Sequence, residues 1–375
     1  MWFRFVRKSP WLSSEIKIGL PAFPKKLANS IKFSRVRIFT LFLAVTLGLI
    51  WLVPQPVRSQ QQPRNAEVTL VSFAVTKAAY DRIIPNFVAK WKRENNGQNV
   101  KFNQSYGGSG TQTRAVISGL EADVVHLALA FDTNRIQQAG LIQAGWEREL
   151  PGNSIVAKSV VALVTRPGNP KRIQTWSDLA RNGVSVITAN PKTSGVARWN
   201  FLALWGSVVR NGGNEQAARN FVNQVYRNVP ILPRDAREAS DVFYKQNQGD
   251  VLINYENEIL LARQRGETEP YIIPATNISI DTPVAVVDKN VDKHGTRRIA
   301  EAFVRYLYTP EAQREFAKVG FRPVNSAVAS EFSRNFPRIN NLFTVASLGG
   351  WNGTQTRFFA DGAVFDQIQT ALNRR

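Results

Sequence analysis

From Glu67 onward, short apolar segments alternate along the chain with longer amphipathic runs. The strand candidates are residues 68–73, 100–102, 123–130, 160–164, 184–187, 251–253 and 284–287. After the first candidate, apolar side chains recur at three- and four-residue spacing, which predicts a helix that Pro85 should kink or restart. Strands that alternate with helices predict an α/β protein with a mainly parallel sheet.

In open α/β sheets, ligands bind beyond the carboxyl ends of the strands. This rule directs attention to the turns after Phe73, Phe102, Ile187 and Ile253. A binding site is therefore expected where these turns meet.

The most informative of these turns is residues 190–198, which read Asn-Pro-Lys-Thr-Ser-Gly-Val-Ala-Arg. It lies between the strand candidate 184–187 and an apolar helical run at 199–209. The first amides of a helix have no partner within the helix and carry its positive dipole end. Gly195 lets the backbone approach a ligand closely and Ser194 adds a hydroxyl donor, so the turn predicts an anion site.

A second glycine-rich segment, residues 104–111, follows a strand candidate and opens a helical run. It has neither the Lys-Ser/Thr ending of a P-loop nor the spacing of a dinucleotide-binding motif. Alone it is explained equally well as a flexible turn. Together with the 190–198 turn it places two helix starts near one anion, and Ala74 could begin a third.

Composition excludes several classes of function. The chain contains no cysteine, which excludes disulfides, thiolate chemistry and cysteine-based metal sites. Its two histidines are far apart, which with the lack of cysteine argues against a zinc site, so we expect no metal. We expect no cofactor either. The net charge is +20, but the basic residues beyond position 60 are scattered, which favours a solvated basic surface over nucleic-acid binding.

The N-terminal segment carries a targeting pattern. Residues 38–53 contain no charged residue, Lys32, Arg35 and Arg37 precede them, and Pro54 follows. The pattern predicts an export signal and a periplasmic location, with an uncleaved membrane anchor as the alternative. Residues 55–63, rich in Gln and Pro, are expected to be a linker.

The 190–198 turn and several other segments also resemble those of a known protein family. The 190–198 turn resembles the signature of the prokaryotic sulfate-binding proteins, the periplasmic receptors of sulfate and thiosulfate importers. The likeness extends over nearly the whole chain after the N-terminal segment. Other similar segments, individually weak but in the same order, are residues 97–100, 104–105, 107–110, 121–125, 197–200, 256–258, 322–323 and 349–351.

The resemblance implies a two-lobed periplasmic binding protein of type II with a central ligand cleft. Residues 66–149 and 258–340 would form one lobe, residues 150–257 and 341–375 the other, and residues 1–65 the basic targeting segment and linker. It implies a monomeric receptor, not an enzyme, that delivers sulfate or thiosulfate to an ABC permease in the inner membrane.

In this family helix-start amides hold the sulfate between the lobes. Carried over residue by residue, the resemblance implies main-chain N–H donors at Ala74, Ser109, Gly195, Val196 and Ala236. It implies the Ser194 hydroxyl as a further donor, and Tyr255 in the place of a tryptophan that donates its indole N–H. Val196 replaces a glycine and Ala74 an acidic residue, and both keep their amides. Asp235, beside Ala236, is expected to face solvent.

Three alternatives stay open at this point. The first is a binding protein of the same fold for phosphate or molybdate. Phosphate retains a proton and benefits from an acceptor, so an inward Asp235 carboxylate would favour it. The second is a hydrolase or transferase, which would need a base beside Ser194. The third is a tethered sulfate sensor or scaffold.

Several other side chains have simpler expected roles. Arg198 and Arg237 are expected in ion pairs at least as readily as in steering the anion. His126 lies among apolar residues and is expected in the core, whereas His294 is expected in an exposed loop. Trp199 and Trp205 are expected to pack in the core.

Overall fold

The computed structural model describes residues 65–373, all within the compact unit Gln62–Arg375. The predicted signal or anchor at residues 38–53 and the linker at 55–63 lie outside the described residues. Across residues 65–373, no helix combines the length and the apolar character that crossing a bilayer requires.

The strands and helices alternate as predicted through the first half of the chain. The strands are β1 (Asn65–Phe73), β2 (Asn99–Gly107), β3 (Val124–His126), β4 (Ile155–Ser159), β5 (Val161–Thr165), β6 (Val186–Ile187), β7 (Val251–Tyr255), β8 (Tyr271–Ile272), β9 (Thr276–Ile278), β10 (Ile280–Val286), β11 (Arg322–Pro323) and β12 (Asn341–Phe343). The helices are α1 (Lys77–Glu94), α2 (Ser109–Ile117), α3 (Ala130–Gln138), α4 (Gly195–Val209), α5 (Glu215–Arg227), α6 (Ala236–Tyr244), α7 (Glu256–Gln264), α8 (Asp288–His294), α9 (Arg297–Tyr306), α10 (Pro310–Lys318), α11 (Ser326–Glu331), α12 (Gly350–Thr354) and α13 (Val364–Asn373).

The strands form two principal sheets, one in each lobe. Lobe 1 contains the six-stranded sheet in the order β11-β4-β10-β3-β1-β2, and lobe 2 the four-stranded sheet in the order β6-β7-β5-β8. A two-stranded pair, β12-β9, completes the set. The α/β class is confirmed.

The sheets are mixed, which corrects the expectation of mainly parallel pairing. β1 is parallel to β2 and β3, but β10 is antiparallel to β3 and β4, and β5 is antiparallel to β7 and β8. A parallel neighbour requires a crossover connection, usually a helix. β5 follows β4 after Val160 and β10 follows β9 after Ser279, so these strands enter their sheets without a crossover helix.

The chain changes sheet at short, defined points. The first lies at Val160 between β4 and β5, and the second between β8 and β10. The lobe boundaries at residues 150 and 258 stay predictions. Near residue 150, the chain leaves the lobe 1 sheet only after β4, because β4 pairs with β10 of lobe 1.

Helix α1 continues through Pro85, so the predicted restart does not occur. Proline removes one backbone hydrogen bond. The helix buries Tyr80, Ile83 and Phe87 against the core, and this apolar packing offsets the local cost.

Helix α4 is buried almost all round, and Trp199 and Trp205 lie in the core as expected. Such a helix is stabilised by packing on every face rather than by one apolar stripe. Its buried position fixes where its first turn, Gly195 and Val196, can lie.

His126 is a core residue, as predicted. It is fully buried, with Nδ1 2.7 Å from the Tyr80 hydroxyl and Nε2 3.0 Å from the Thr282 hydroxyl. Burial lowers its pKa to about 3, so it stays neutral at physiological pH.

His294 is exposed, as expected, but it belongs to a helix rather than to a loop. It ends α8, and its ring lies between two carboxylates, 2.9 Å from Asp123 Oδ1 and 2.9 Å from Glu121 Oε2. The hydrogen bond to Glu121 is the main reason that its pKa is raised, and Asp123 adds to the effect. The carboxylates come from the segment before β3, which is distant in sequence.

We predict that His294→Gln lowers the free energy of unfolding by on the order of 1 kcal/mol at pH 5.5, because two charge-assisted hydrogen bonds are lost. A pKa raised on folding stabilises the protein fully below the unfolded value of about 6.5, and this stabilisation is lost as pH rises through the folded pKa. Urea unfolding at pH 5.5 and pH 9 measures it. Equal differences between wild type and variant at both pH values would contradict the assignment.

Candidate anion-binding site

Turns between strand ends and helix starts in both lobes surround one small cavity. The space that it leaves for the centres of water-sized spheres is about 10 Å³, far less than in the clefts that hold drug-sized ligands. The lining residues are Phe73, Ala74, Val75, Gly107, Gly108, Ser109, Ala128, Ser194, Gly195, Val196, Asp235, Ala236 and Tyr255. All seven residues predicted to bind the anion are among them.

The predicted main-chain donors lie at helix starts. Ser109, Gly195 and Ala236 are the first residues of α2, α4 and α6, Val196 is the second of α4, and Ala74 begins a short 3₁₀ turn. First-turn amides have no acceptor inside their own helix. Among the hydrogen bonds found within residues 65–373, none uses these five amides as donors. The cavity is therefore lined by unpaired N–H groups.

The Ser194 hydroxyl is also without a capping hydrogen bond. Ser194 is the N-cap of α4 and is buried, but its hydroxyl makes no capping hydrogen bond. Its amide donates to the Asn190 carbonyl at 2.9 Å, which fixes the turn. The hydroxyl is thus available as a donor in the cavity.

Two glycines allow the lobes to meet at this place. A Cβ atom on Gly108 would lie 2.6 Å from the Thr193 carbonyl oxygen. A Cβ atom on Gly195 would lie 2.4 Å from the Ala128 Cβ atom across the lobe boundary. Real Cβ atoms do not approach so closely, so the contact depends on glycine.

Tyr255 ends β7 and presents an unpaired hydroxyl. The side chain is 1% exposed, and its hydroxyl has no hydrogen-bond partner within the described residues. Burial raises its pKa well above the usual value, so it remains a neutral phenol. Its ring also packs edge-on against Phe73, with centroids 6.1 Å apart. Packing and hydrogen donation are therefore compatible roles for this residue.

Asp235 does not face solvent, which corrects the expectation from sequence. It is 8% exposed and lines the cavity. Its Oδ1 accepts hydrogen bonds from the amides of Arg237 at 2.9 Å and Glu238 at 3.0 Å. Asp235 is the N-cap of α6, and an N-cap carboxylate is drawn to the amides of the first turn. Of the first three amides of α6, only that of Ala236 stays unpaired.

The arginines beside the site are held in ion pairs, as expected. Arg198 Nη1 lies 3.5 Å from Asp132 Oδ1, and Arg237 Nη1 lies 3.1 Å from Glu258 Oε1. Asp132 Oδ2 also accepts the Ser109 hydroxyl at 2.6 Å, while that hydroxyl accepts from the Ala128 amide at 3.0 Å. Burial raises the pKa of Glu258 to about 7 even though Arg237 opposes the shift.

Sequence reasoning missed part of the site. Phe73 and Gly107 line the cavity at the carboxyl ends of β1 and β2; the sequence indicated the turns at these places but did not name either residue as part of the site. Asp132 gave no local signal, because its role depends on Ser109 and Arg198, which are distant in sequence.

The chain is similar to bacterial solute-binding proteins over most of its length. A model of the bacterial extracellular solute-binding protein family matches residues 68–322. The chain is 61% identical over 310 residues to the sulfate-binding protein of Synechococcus elongatus, covering 82% of this chain and 88% of that one. It is 39% identical over 302 residues to the thiosulfate-binding protein of Pseudomonas aeruginosa, covering 80% and 90%.

A solved structure is similar over the same region. The sulfate-binding protein SubI from Mycobacterium tuberculosis H37Rv superposes with a TM-score of 0.72 at 38% identity, covering 78% of this chain and 99% of that one. The two-lobed binding-protein fold and the predicted family are thereby confirmed. The chain belongs to the prokaryotic sulfate-binding protein family, within the bacterial extracellular solute-binding proteins.

Proposed function

We propose that this protein is a periplasmic receptor that binds sulfate in the cavity and delivers it to an ABC importer. The observation that carries the proposal is the convergence of five unpaired main-chain N–H groups with the Ser194 and Tyr255 hydroxyls around one small space. The names of the relatives from Synechococcus elongatus and Mycobacterium tuberculosis support sulfate, and that of the Pseudomonas aeruginosa relative supports thiosulfate as a second ligand.

A cavity of donors suits an anion that has no proton to give. Sulfate is fully deprotonated at neutral pH, whereas phosphate carries a proton that would face unpaired donors. No lysine, arginine or histidine is among the cavity-lining residues. The charge would thus be stabilised by peptide dipoles and hydroxyls rather than by a contacting cation.

The magnitudes are compatible with tight binding. A hydrogen bond to a charged group contributes ~1.5–3 kcal/mol, so roughly six would contribute about 9–18 kcal/mol before costs. Micromolar affinity corresponds to about 8 kcal/mol. The remainder offsets the desolvation of the dianion and the closure of the lobes.

Tyr255 fits this donor role in spite of its chemical ambiguity. A phenol can donate or accept. Within the described residues, no acceptor engages the Tyr255 hydroxyl. Its proton would therefore be satisfied by an oxygen of the anion, and acting as an acceptor would leave that buried proton unpaired.

A second candidate, phosphate or another oxyanion that carries a proton, is favoured by one observation. Asp235 lines the cavity, and while its Oδ1 is engaged by two amides, its Oδ2 lies 3.9 Å from Arg234 Nε, beyond hydrogen-bond distance. That oxygen could accept a proton from such a ligand. We place sulfate first because the donors outnumber this single acceptor.

The binding role is supported over an enzymatic one by the surroundings of Ser194. A hydrolase would need a base to activate that hydroxyl. His126 is committed to Tyr80 and Thr282, and His294 to Asp123 and Glu121. The extracellular family and the predicted export signal support a periplasmic location.

We predict that sulfate raises the melting temperature of residues 62–375 and that sulfate and thiosulfate compete for one site. Because the cavity is rich in donors, phosphate should bind at least 100-fold more weakly, about 2.7 kcal/mol. Competition calorimetry at pH 7.5 with sulfate, thiosulfate, phosphate and molybdate measures this order. Tighter binding of phosphate than of sulfate would assign the site to the second candidate.

We predict that Gly195→Ala weakens sulfate binding by about 1–3 kcal/mol, because the added Cβ would meet Ala128 and hold the lobes apart. Gly353→Ala is the matched control, since Gly353 has no heavy atom within 4 Å of its Cβ position. Calorimetry on both variants measures the effect. An unchanged dissociation constant for Gly195→Ala would show that closure does not depend on this contact.

We predict that Tyr255→Phe weakens sulfate binding by ~1–3 kcal/mol, because one donor to a charged group is lost while the ring packing is kept. Tyr226→Phe is the control, because Tyr226 is equally buried, has an unpaired hydroxyl and does not line the cavity. Equal affinities of Tyr255→Phe and wild type would restrict Tyr255 to packing.

A further inference from the structure

The turn that carries Ser194 and Gly195 is held from behind by the C-terminal part of the chain. Lys192 lies two residues before Ser194, and its Nζ donates to Asp366 Oδ2 at 2.8 Å and to the Phe359 carbonyl at 3.2 Å. Asp361 Oδ1 lies 3.3 Å from the same nitrogen. Asp366 Oδ2 also accepts the Gly362 amide at 2.8 Å, which fixes the carboxylate.

A second contact from the same part of the chain reaches the other end of the turn. The rings of Trp199 and Trp351 pack edge-on, with centroids 4.6 Å apart. The Trp199 indole donates to the Ala128 carbonyl at 3.0 Å, and Ala128 lines the cavity in lobe 1. Trp351 therefore supports the side chain that joins α4 to the opposite lobe.

The turn between these two contacts has little freedom. The amides of Thr193 and Ser194 donate to the Asn190 carbonyl at 3.1 and 2.9 Å. The Lys192 carbonyl accepts Arg114 Nη1 at 3.4 Å, and the Thr193 carbonyl lies against Gly108. A shift of Lys192 would thus move the amides of Gly195 and Val196 relative to lobe 1.

The position of Lys192 outside the cavity lining argues against a direct contact with the anion. Lys192 is absent from the residues that line the cavity, and its ammonium is paired with two carboxylates. Partly exposed ion pairs contribute little to global stability. A lysine in this setting would act through the geometry of the turn that follows it.

We propose that Trp351 and residues 359–366 form a brace that positions the anion-binding turn, with Lys192, Asp366 and Trp351 as positioning residues. The brace holds Gly195 and Val196 where their N–H groups converge with those of Ser109 and Ala236. A preorganised donor set loses less entropy when the anion binds. The effect on affinity rests on the proposed function, whereas the effect on the turn itself does not.

The variant Lys192→Met tests the brace, and Lys245→Met is the matched control. Lys245 pairs with Asp241 on α6 at the same 2.8 Å, and no hydrogen bond or ion pair found among residues 65–373 joins Lys245 to residues 190–198. In the ligand-free protein, amide exchange of Thr193 and Ser194 should be at least about tenfold faster in Lys192→Met than in wild type or in the control. Unchanged exchange would overturn the proposal, because the turn would be rigid without the brace.

The sulfate dissociation rate gives the second readout. We expect Lys192→Met to release sulfate about tenfold faster in stopped-flow displacement, with a melting temperature of the ligand-free protein close to that of the control. Lys192→Arg keeps the positive charge and should restore both exchange and release. Faster exchange with unchanged release would limit the brace to the fold and overturn its role in binding.

The two proposals fail separately. If wild type binds no sulfate, the proposed function is wrong, and the exchange of Thr193 and Ser194 still tests the brace. If wild type binds sulfate and Lys192→Met behaves as wild type in both measurements, the brace is wrong and the proposed function stands.

Discussion

Unpaired main-chain amides at helix starts define the chemistry of the cavity. The first residues of α2, α4 and α6 come from different strand ends and from both lobes, yet their N–H groups line one cavity. Leaving such groups unpaired and buried is costly unless an acceptor arrives. The fold therefore holds a donor set that a small anion would complete.

Close approach of the two lobes makes this arrangement possible. Gly108 and Gly195 remove side chains where the lobes touch, and the Trp199 indole bonds across the boundary to Ala128. Arg198 forms an ion pair with Asp132 and is not among the residues that line the cavity. Charge stabilisation is thus assigned to oriented peptide groups, which cannot be titrated and which act at short range.

Local signals predicted the α/β class and an anion site at Ser194 and Gly195, whereas the full set of seven site residues was implied by the family resemblance. A strand, a glycine-containing turn and an apolar helix in succession identify Ser194 and Gly195. The antiparallel entry of β10 was not predictable, since pairing partners are chosen by the tertiary fold. The buried position of Asp235 was also missed, because the capping geometry that turns its carboxylate inward appears only when α6 is in place. The carboxylate partners of His294 were missed for a similar reason, as Glu121 and Asp123 are far away in sequence.

A titration of the ¹⁵N-labelled protein with sulfate, followed through backbone amide resonances, tests directly whether the helix-start amides donate to the bound anion. An N–H group that gains a charged acceptor shifts strongly downfield. If helix-start amides bind sulfate, we expect the largest downfield proton shifts at five amides: Ala74, Ser109, Gly195, Val196 and Ala236. Shifts confined to lysine- and arginine-rich surface segments, with these five amides unchanged, would contradict this expectation.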